Sequence, residues 1–472
     1  MQNNERSKML GTMPMKQLML KVSVPIMISM LVQALYNVVD SIFVARYDPM
    51  ALTAVSLAYP FQMLMIALST GMGVGINSLI SRRLGEKRGD AARTAAWNGL
   101  LIELGGALLF VLVGFLLAPA CMGWVVSDNL ENAAEIADMG AMYLRMVCGF
   151  SEGLFLSILF ERMLQATGNA MLSMVTQLTG ALTNIVLDPI FIFGYFGVPA
   201  MGVVGAAVAT VIGQFVSAGI GLALNQKKNV ELRLRWSEFR ADGRTLAEIV
   251  SVGLPSSVMA SIGSVMNLGM NAILSAMAEA NAAVNVLNVY FKLQSFVFMP
   301  VFGLGNGMIA VVGYNYGARL QKRVKEAVKV SLLYAMCIML FGVLLFQLFP
   351  EALLSLFESD TNPELIAAMN RLGVTALRVI SWHFPIAAVG ITLSNVFQAV
   401  GKGVYSLILS VCRQLAVLLP VAWLLARLTG SVDLVWWSFL IAEAVSCVMA
   451  VLFYRRVDSK YLRRLDSPEA AS

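Results

Sequence analysis

Asp40 and Asp188 each carry a carboxylate inside a long apolar stretch, VPIMISMLVQALYNVVDSIFVA and NIVLDPIFIFG respectively. An ionisable group at membrane depth costs from about 2.5 kcal/mol upward, so each needs a compensating partner or a function. Tyr36 and Asp40 stand four residues apart, one helical turn, and share a face, with Asn37 beside them. Asn184 and Asp188 repeat that spacing directly before Pro189, and Thr210 brings a hydroxyl from the next apolar run. At 1.5 Å per residue, Asp40 lies roughly 9 Å, Asp188 roughly 12 Å and Thr210 roughly 16 Å from the corresponding helix ends, so these groups can share one layer. Hard oxygen ligands of this kind suit Na⁺. Two neighbouring carboxylates cannot both ionise cheaply, which equally suits a proton carrier. The structural alternative is that Asp188 caps a helix broken at Pro189 while Asp40 accepts from nearby hydroxyls; the clustering of the acids favours the functional reading.

Other polar groups in apolar surroundings are candidates for contacting a substrate: Gln33, Tyr36, Asn37, Glu152 and Lys292. Glu152 is either a second titrating acid or the partner of Arg145, two turns away. Lys292, Arg413 and Glu443 are expected to form buried pairs, and a cluster of Lys292, Arg378 and Arg413 would disfavour cations there. Arg145 and Arg378 read as interfacial, snorkelling side chains. His383, the single histidine, reads as a satisfied interior residue, and Glu103 has no evident partner. The five cysteines share no spacing and read as small packing residues rather than disulfides or metal ligands. The 29 methionines suit either a cavity for varied apolar ligands or plain helix packing. No HExxH, GxSxG or P-loop pattern is present, which argues against an intramembrane protease or an ATP-driven pump.

The elements that must position these groups are membrane helices. Hydrophobic residues form 58% of the chain and charged residues 13%, against roughly 25% charged in soluble domains. Twelve apolar runs of about 20 residues, the length that crosses a bilayer core, lie near 18–45, 52–78, 93–118, 136–160, 170–196, 200–224, 246–275, 284–311, 327–350, 367–397, 404–428 and 432–454. Period-two alternation is absent, which argues against a transmembrane barrel, and the first run is too long for a cleavable signal. Net charge of +6 does not imply a nucleic-acid partner. Most Lys and Arg residues fall in the tails and the even-numbered connections, in clusters such as Arg82, Arg83, Lys87 and Arg88, whereas the odd-numbered connections hold only Arg46, Arg371 and Arg427. The positive-inside bias therefore predicts that both termini are cytoplasmic.

The chain also matches itself at an offset of about 230 residues. Pro25 in VSVPIMISM answers Pro255 in VGLPSSVM, and Gln165–Gly168 in MLQATGNAMLSM answers Gln398–Gly401 in VFQAVGKGVYSL. The expected organisation is a tail over 1–15, a six-helix lobe over 16–226, a linker over 227–245, a second six-helix lobe over 246–455 and a tail over 456–472. Six helices per copy give both copies the same orientation, a parallel repeat suited to rocking of one half against the other. The copies differ in their acids. In the register set by Pro25 and Pro255, Asn37 answers Asn267 but Asp40 answers Met270, and only apolar Val421 and its neighbours correspond to the region of Asp188.

The segments VPIMISMLVQALYNVVDSIFVA, NIVLDPIFIFGYFGVPAMGVVGAAVATVIGQ and VVGYNYGARLQKRVKEA resemble the multidrug and toxic compound extrusion (MATE) family, in its bacterial DinF/MepA-like branch, from about residue 16 to 455. The resemblance implies an all-α integral membrane protein of twelve transmembrane helices, arranged as a V of two pseudo-symmetric six-helix lobes. It implies export of amphipathic, mainly cationic organic molecules in exchange for H⁺ or Na⁺, with no cofactor and no enzymatic activity. By the same resemblance Asp40, Asn184, Asp188 and Thr210 match the coupling site, where Na⁺ would bind as the alternative to a proton. Pro25 matches a proline linked to helix bending, and Tyr36 and Asn37 would line the cavity. The chain departs from the NorM-like branch in having no carboxylate in the seventh run and Arg378 and His383 in the tenth, which puts a second coupling site in doubt. The implied protein is a monomer in the bacterial inner membrane, whose partners are small-molecule substrates and membrane lipid, not nucleic acid. A flippase for lipid-linked saccharides, which needs a basic central cavity, is the alternative.

Overall fold

Inside a bilayer every backbone polar group must be satisfied within the segment, so apolar runs of this length fold as helices. The computed structural model describes residues 6–126, 132–357 and 363–466, and shows no strand among them. The outermost parts of the expected tails, 1–5 and 467–472, lie outside the described residues. Ten helices are long and apolar enough to cross a membrane, and two bent helix pairs would each add one more, giving up to twelve spans among the described residues. Spans one to three are Met15–Tyr47, Pro49–Gly85 and Gly89–Val125. Span four is the pair Ala133–Gly149 and Glu152–Ala166, and spans five and six are Ala170–Phe193 and Val203–Lys228. The second copy follows as Gly243–Ser275, Ala280–Gly317 and Gln321–Leu348, then the pair Pro363–Ser381 and Phe384–Ala399 as span ten. Gly403–Thr429 and Val432–Leu465 are spans eleven and twelve.

The runs expected at 136–160 and 367–397 are not straight helices: span four bends by 44° and span ten by 49°, at corresponding places in the two copies. In span ten Pro385 opens the second segment, where its missing N–H is tolerated but a continuous helix is not. Span four breaks between Gly149 and Glu152, where the Ser151 hydroxyl turns to the Ala107 carbonyl of span three at 3.1 Å. Span eleven passes through a π-helical stretch, Cys412–Leu418, just before Pro420. At the other extreme the Asp48–Pro49 corner is tight: the Asp48 side chain accepts from the Met50 N–H at 2.9 Å and Pro49 starts span two.

The close approaches that join the first six spans to the last six lie in the halves nearest the chain termini. Gly75 of span two abuts the Ile249 carbonyl of span seven, and a Cβ on Gly303 of span eight would sit 2.7 Å from the Met27 Cα of span one. The Ser257 hydroxyl donates to the Leu68 carbonyl at 3.1 Å, the Ser78 hydroxyl to the Gln398 carbonyl at 2.7 Å, and Arg83 pairs with Glu248 at 2.8 Å. Span one is shared between two cores. Met15, Leu18, Val22 and Ile26 pack with the second copy, whereas Val44 packs with spans two to six. Pro25 is buried in the half that packs with the second copy, and the helix continues through it. Toward the opposite face Asn37 and Tyr59 are exposed.

Candidate functional site

Spans one, five and six bring the sequence-predicted oxygens together. Span five is continuous through Pro189, so Asp188 does not cap a broken helix; the proline removes only the donor that would reach the Ile185 carbonyl. Gly213 lets span six close on span five, since a Cβ there would lie 2.8 Å from the Gly180 carbonyl oxygen and 3.3 Å from Asn184 Cβ. That approach puts Thr210 in reach: Asn184 Nδ2 donates to Thr210 Oγ1 and to Asp188 Oδ1, each at 3.2 Å. Asn184, Asp188 and Thr210 are buried, and Asp40 of span one is half-buried with its carboxyl within hydrogen-bonding reach of Asp188. Asp40 sits seven residues from the end of span one, Asp188 five from the end of span five and Thr210 seven into span six, so all three lie about 8–10 Å from the helix ends. The layer is thinner than the sequence implied because span five ends earlier and span six begins later than their apolar runs.

Three buried acceptors in this layer have no donor: Asp40 Oδ1, Asn184 Oδ1 and Asp188 Oδ2. Burying an acceptor unpaired costs roughly 1–3 kcal/mol, more when it is charged. No ion pair reaches either carboxylate among the described residues. The arrangement can therefore do one thing well, which is to take up a proton or a small hard cation. Among the described residues no group of three His, Cys, Asp or Glu side chains converges as a transition-metal site would require.

Tyr36 lies beside this layer as its spacing from Asp40 predicted, and the sequence missed three further groups there, Tyr59, Gln62 and Tyr143. Tyr59 and Tyr143 lie near Tyr36 and Asp40, and the Tyr143 hydroxyl donates to Gln62 Oε1 at 3.1 Å. Their only signal was polarity inside apolar runs, and the packing of spans two and four against span one was needed to use it. Gln33 lies below the layer and accepts from Gln177 of span five at 2.9 Å, and Asn37 is exposed.

Other expectations need correction. Arg413 does pair with Glu443, at 3.3 Å, and Glu443 lies 3.8 Å from His383 Nδ1, whose Nε2 meets the Tyr290 hydroxyl at 3.0 Å. Lys292 does not join them; it is exposed and sits 5.7 Å over the Phe357 ring. Tyr290 and Lys292 are two residues apart on one helix, so they face nearly opposite sides, and only Tyr290 turns inward. With Lys292 apart and Arg378 exposed, the expected basic cluster, and with it a basic cavity wall, is not assembled. Glu152 forms no ion pair with Arg145 among the described residues, because the bend in span four falls between them. Glu103 is fully buried and accepts from the Ser69 hydroxyl at 2.9 Å.

A layer of unsatisfied oxygens inside a duplicated bundle of membrane helices fits a transporter. The family model of MatE matches twice, over residues 25–190 and 255–424, one match in each copy. The chain belongs to the MatE family. The multidrug export protein MepA of Staphylococcus saprophyticus is 27% identical over 437 residues, covering 92% of each chain. The probable multidrug resistance protein NorM of Thermotoga maritima is 29% identical over 448 residues, covering 92% of this chain and 91% of that one. A solved structure of a multidrug resistance MATE family transporter in its outward-facing conformation, 27% identical, aligns over 98% of this chain and 99% of that one with a TM-score of 0.88. This MATE chain is thus a membrane transporter of a multidrug-efflux family and not an enzyme.

Proposed function

We propose that this MATE transporter is a secondary antiporter that exports amphipathic, mainly cationic organic molecules in exchange for H⁺ or Na⁺. The observation that carries the reading is the set of three donorless acceptors on Asp40, Asn184 and Asp188. A proton shared by the two carboxyls, or a Na⁺ held by those oxygens with Thr210, satisfies them; a substrate cation would compete for the same charge. Tyr36 and Tyr59, next to the layer, offer aromatic faces to a substrate cation, and Asn37 beside them offers a polar contact. The bundles over 16–226 and 246–455 are the moving lobes, and Pro25 is the hinge, because its ring deprives span one of a backbone hydrogen bond where that helix lies against the second copy. The protein works as a monomer in the bacterial inner membrane with both termini cytoplasmic, and the face closed by Gly75, Gly303 and the Arg83–Glu248 pair is then the inner one.

The deciding measurement is efflux of a fluorescent organic cation from proteoliposomes in which Na⁺ and H⁺ gradients are imposed separately. Export driven by one gradient and not the other names the coupling ion. Flux unaffected by either would remove the antiport reading.

A further inference from the structure

The connection between spans six and seven, residues 229–242, is not a free tether. Gln226 Nε2 donates to the Leu234 carbonyl at 2.9 Å. Asn98 of span three holds the far end, donating to the Arg240 carbonyl and accepting from the Asp242 N–H, both at 2.9 Å. Trp97 of span three is buried, and the rings of Trp236 and Phe239 pack on it with centroids 5.1 and 5.2 Å away. Trp236 is nevertheless 83% exposed. A large aromatic ring fixed in place and left open marks a surface made for something else.

The charges around it are sorted. Between Lys227 and Arg244 stand six basic residues and three acidic ones. The acids are engaged: Glu231 accepts from the Ser7 hydroxyl at 2.7 Å, Glu238 is held by Arg93 at 2.8 Å, and Asp242 caps span seven, accepting from the Thr245 N–H at 3.0 Å. Lys227, Lys228, Arg235, Arg240 and Arg244 are exposed, and Arg235 keeps only a 4.0 Å contact with the already occupied Glu238. The outer surface of the linker is therefore basic, with an indole at its centre.

Its depth follows from span three. Trp97 and Trp124 are 27 residues apart on one helix, about 40 Å, which is the thickness of a bilayer with its headgroups, about 40–45 Å. Trp124 is 83% exposed, and between the two lie the exposed Leu108, Leu112 and Leu116. Tryptophan prefers the membrane–water interface, so these residues mark the two headgroup layers, and Trp236, packed at a tilt against Trp97, lies in the layer on the termini-bearing face.

We propose that the linker is a binding surface for anionic phospholipid, with Trp236 seated in the interface and Arg235, Arg240 and Arg244 receiving headgroup phosphates. Guanidinium groups bind phosphate through paired hydrogen bonds, and juxtamembrane bases are drawn to anionic lipid. The binding holds whichever ion or substrate the transporter uses.

The test places the full chain in nanodiscs containing brominated phosphatidylglycerol or, at the same mole fraction, brominated phosphatidylcholine. Subtracting the emission of a Trp236→Phe variant isolates Trp236. Its emission should be quenched at least about twofold more by the anionic lipid, and this preference should vanish in the Arg235→Gln, Arg240→Gln, Arg244→Gln triple variant. Each charge removed should weaken the lipid's binding by about fivefold. The three side chains are exposed, so the triple variant keeps its fold, which an unchanged melting temperature verifies. Equal quenching by both lipids, no quenching by either, or a preference that survives in the triple variant each overturns the proposal.

Discussion

At Asp188 one carboxyl oxygen keeps the Asn184 amide at 3.2 Å and the other has no donor. Asp40 is in the same position with Oδ1. Neutral replacements retain the shape and remove the charge, so Asp40→Asn and Asp188→Asn should each reduce gradient-driven efflux to background while the protein still reaches the membrane, which efflux assays and membrane immunoblots check together. Thr210→Val deletes only one oxygen of the layer and should weaken ion affinity by about tenfold, read as a rise in the ion concentration giving half-maximal transport. The Glu443 carboxylate serves a different purpose. It neutralises Arg413 and neighbours His383, so Glu443→Ala strands a partly buried cation and should cost about 3 kcal/mol. A thermal shift in detergent would show it, and a variant that melts like the parent would refute the pairing.

Between elements, conformational change must break the contacts that seal the termini-bearing side. Gly303→Val would drive a side chain into the Met27 backbone and should hold that side open, visible as a longer spin-label distance between spans one and eight. The Arg83–Glu248 pair is partly exposed, so removing it should cost under about 1 kcal/mol of stability. The same small energy still shifts the balance of open and closed states by up to about fivefold, which the same distance measurement across spans two and seven detects. On the linker, burial pushes the Glu231 carboxyl above its usual range, with the Ser7 hydrogen bond opposing. A folded-state value above the unfolded one means the contribution to docking is fully present below the ordinary carboxylate range and is lost as pH rises through the raised value. Glu231→Gln keeps the hydrogen-bonding oxygen without the charge, so at neutral pH it should make the linker's basic sites more resistant to trypsin than in the parent chain. The parent and variant should converge in acid.

For the whole molecule, orientation and asymmetry are the testable properties. An even number of spans and the loop charges together predict cytoplasmic termini, so a C-terminal reporter that matures only in the cytoplasm should fluoresce, and a periplasmic reporter at the same place should stay silent. The two copies share a scaffold but not a site. Met270, which answers Asp40, is fully buried in the second core, and Asn271 there hydrogen-bonds Asn267 at 2.8 Å. Coupling is thus expected from the first copy alone, while the second supplies the surface against which it moves.

The amino-acid order by itself determined the membrane class, the number of spans, the duplication and the two acids, because each is a local property: an apolar run, an internal match, or a charge where charge is expensive. The four-residue spacings in spans one and five also put Tyr36 with Asp40 and Asn184 with Asp188 without any knowledge of packing. Only the tertiary structure decided what lies across a helix interface. Tyr59, Gln62 and Tyr143 reach the layer because spans two and four pack on span one, and Lys292 is lost to the inner network because a helix can turn only one of two residues, Tyr290 or Lys292, inward. The bends of spans four and ten were hidden because an apolar run reads the same straight or bent, and local hydropathy carries no direction. The linker likewise reads as a polar tether in the sequence; the packing of Trp236 on Trp97 and the capture of Glu231 by Ser7 and of Glu238 by Arg93 arise from contacts far apart in the chain, which no local pattern encodes.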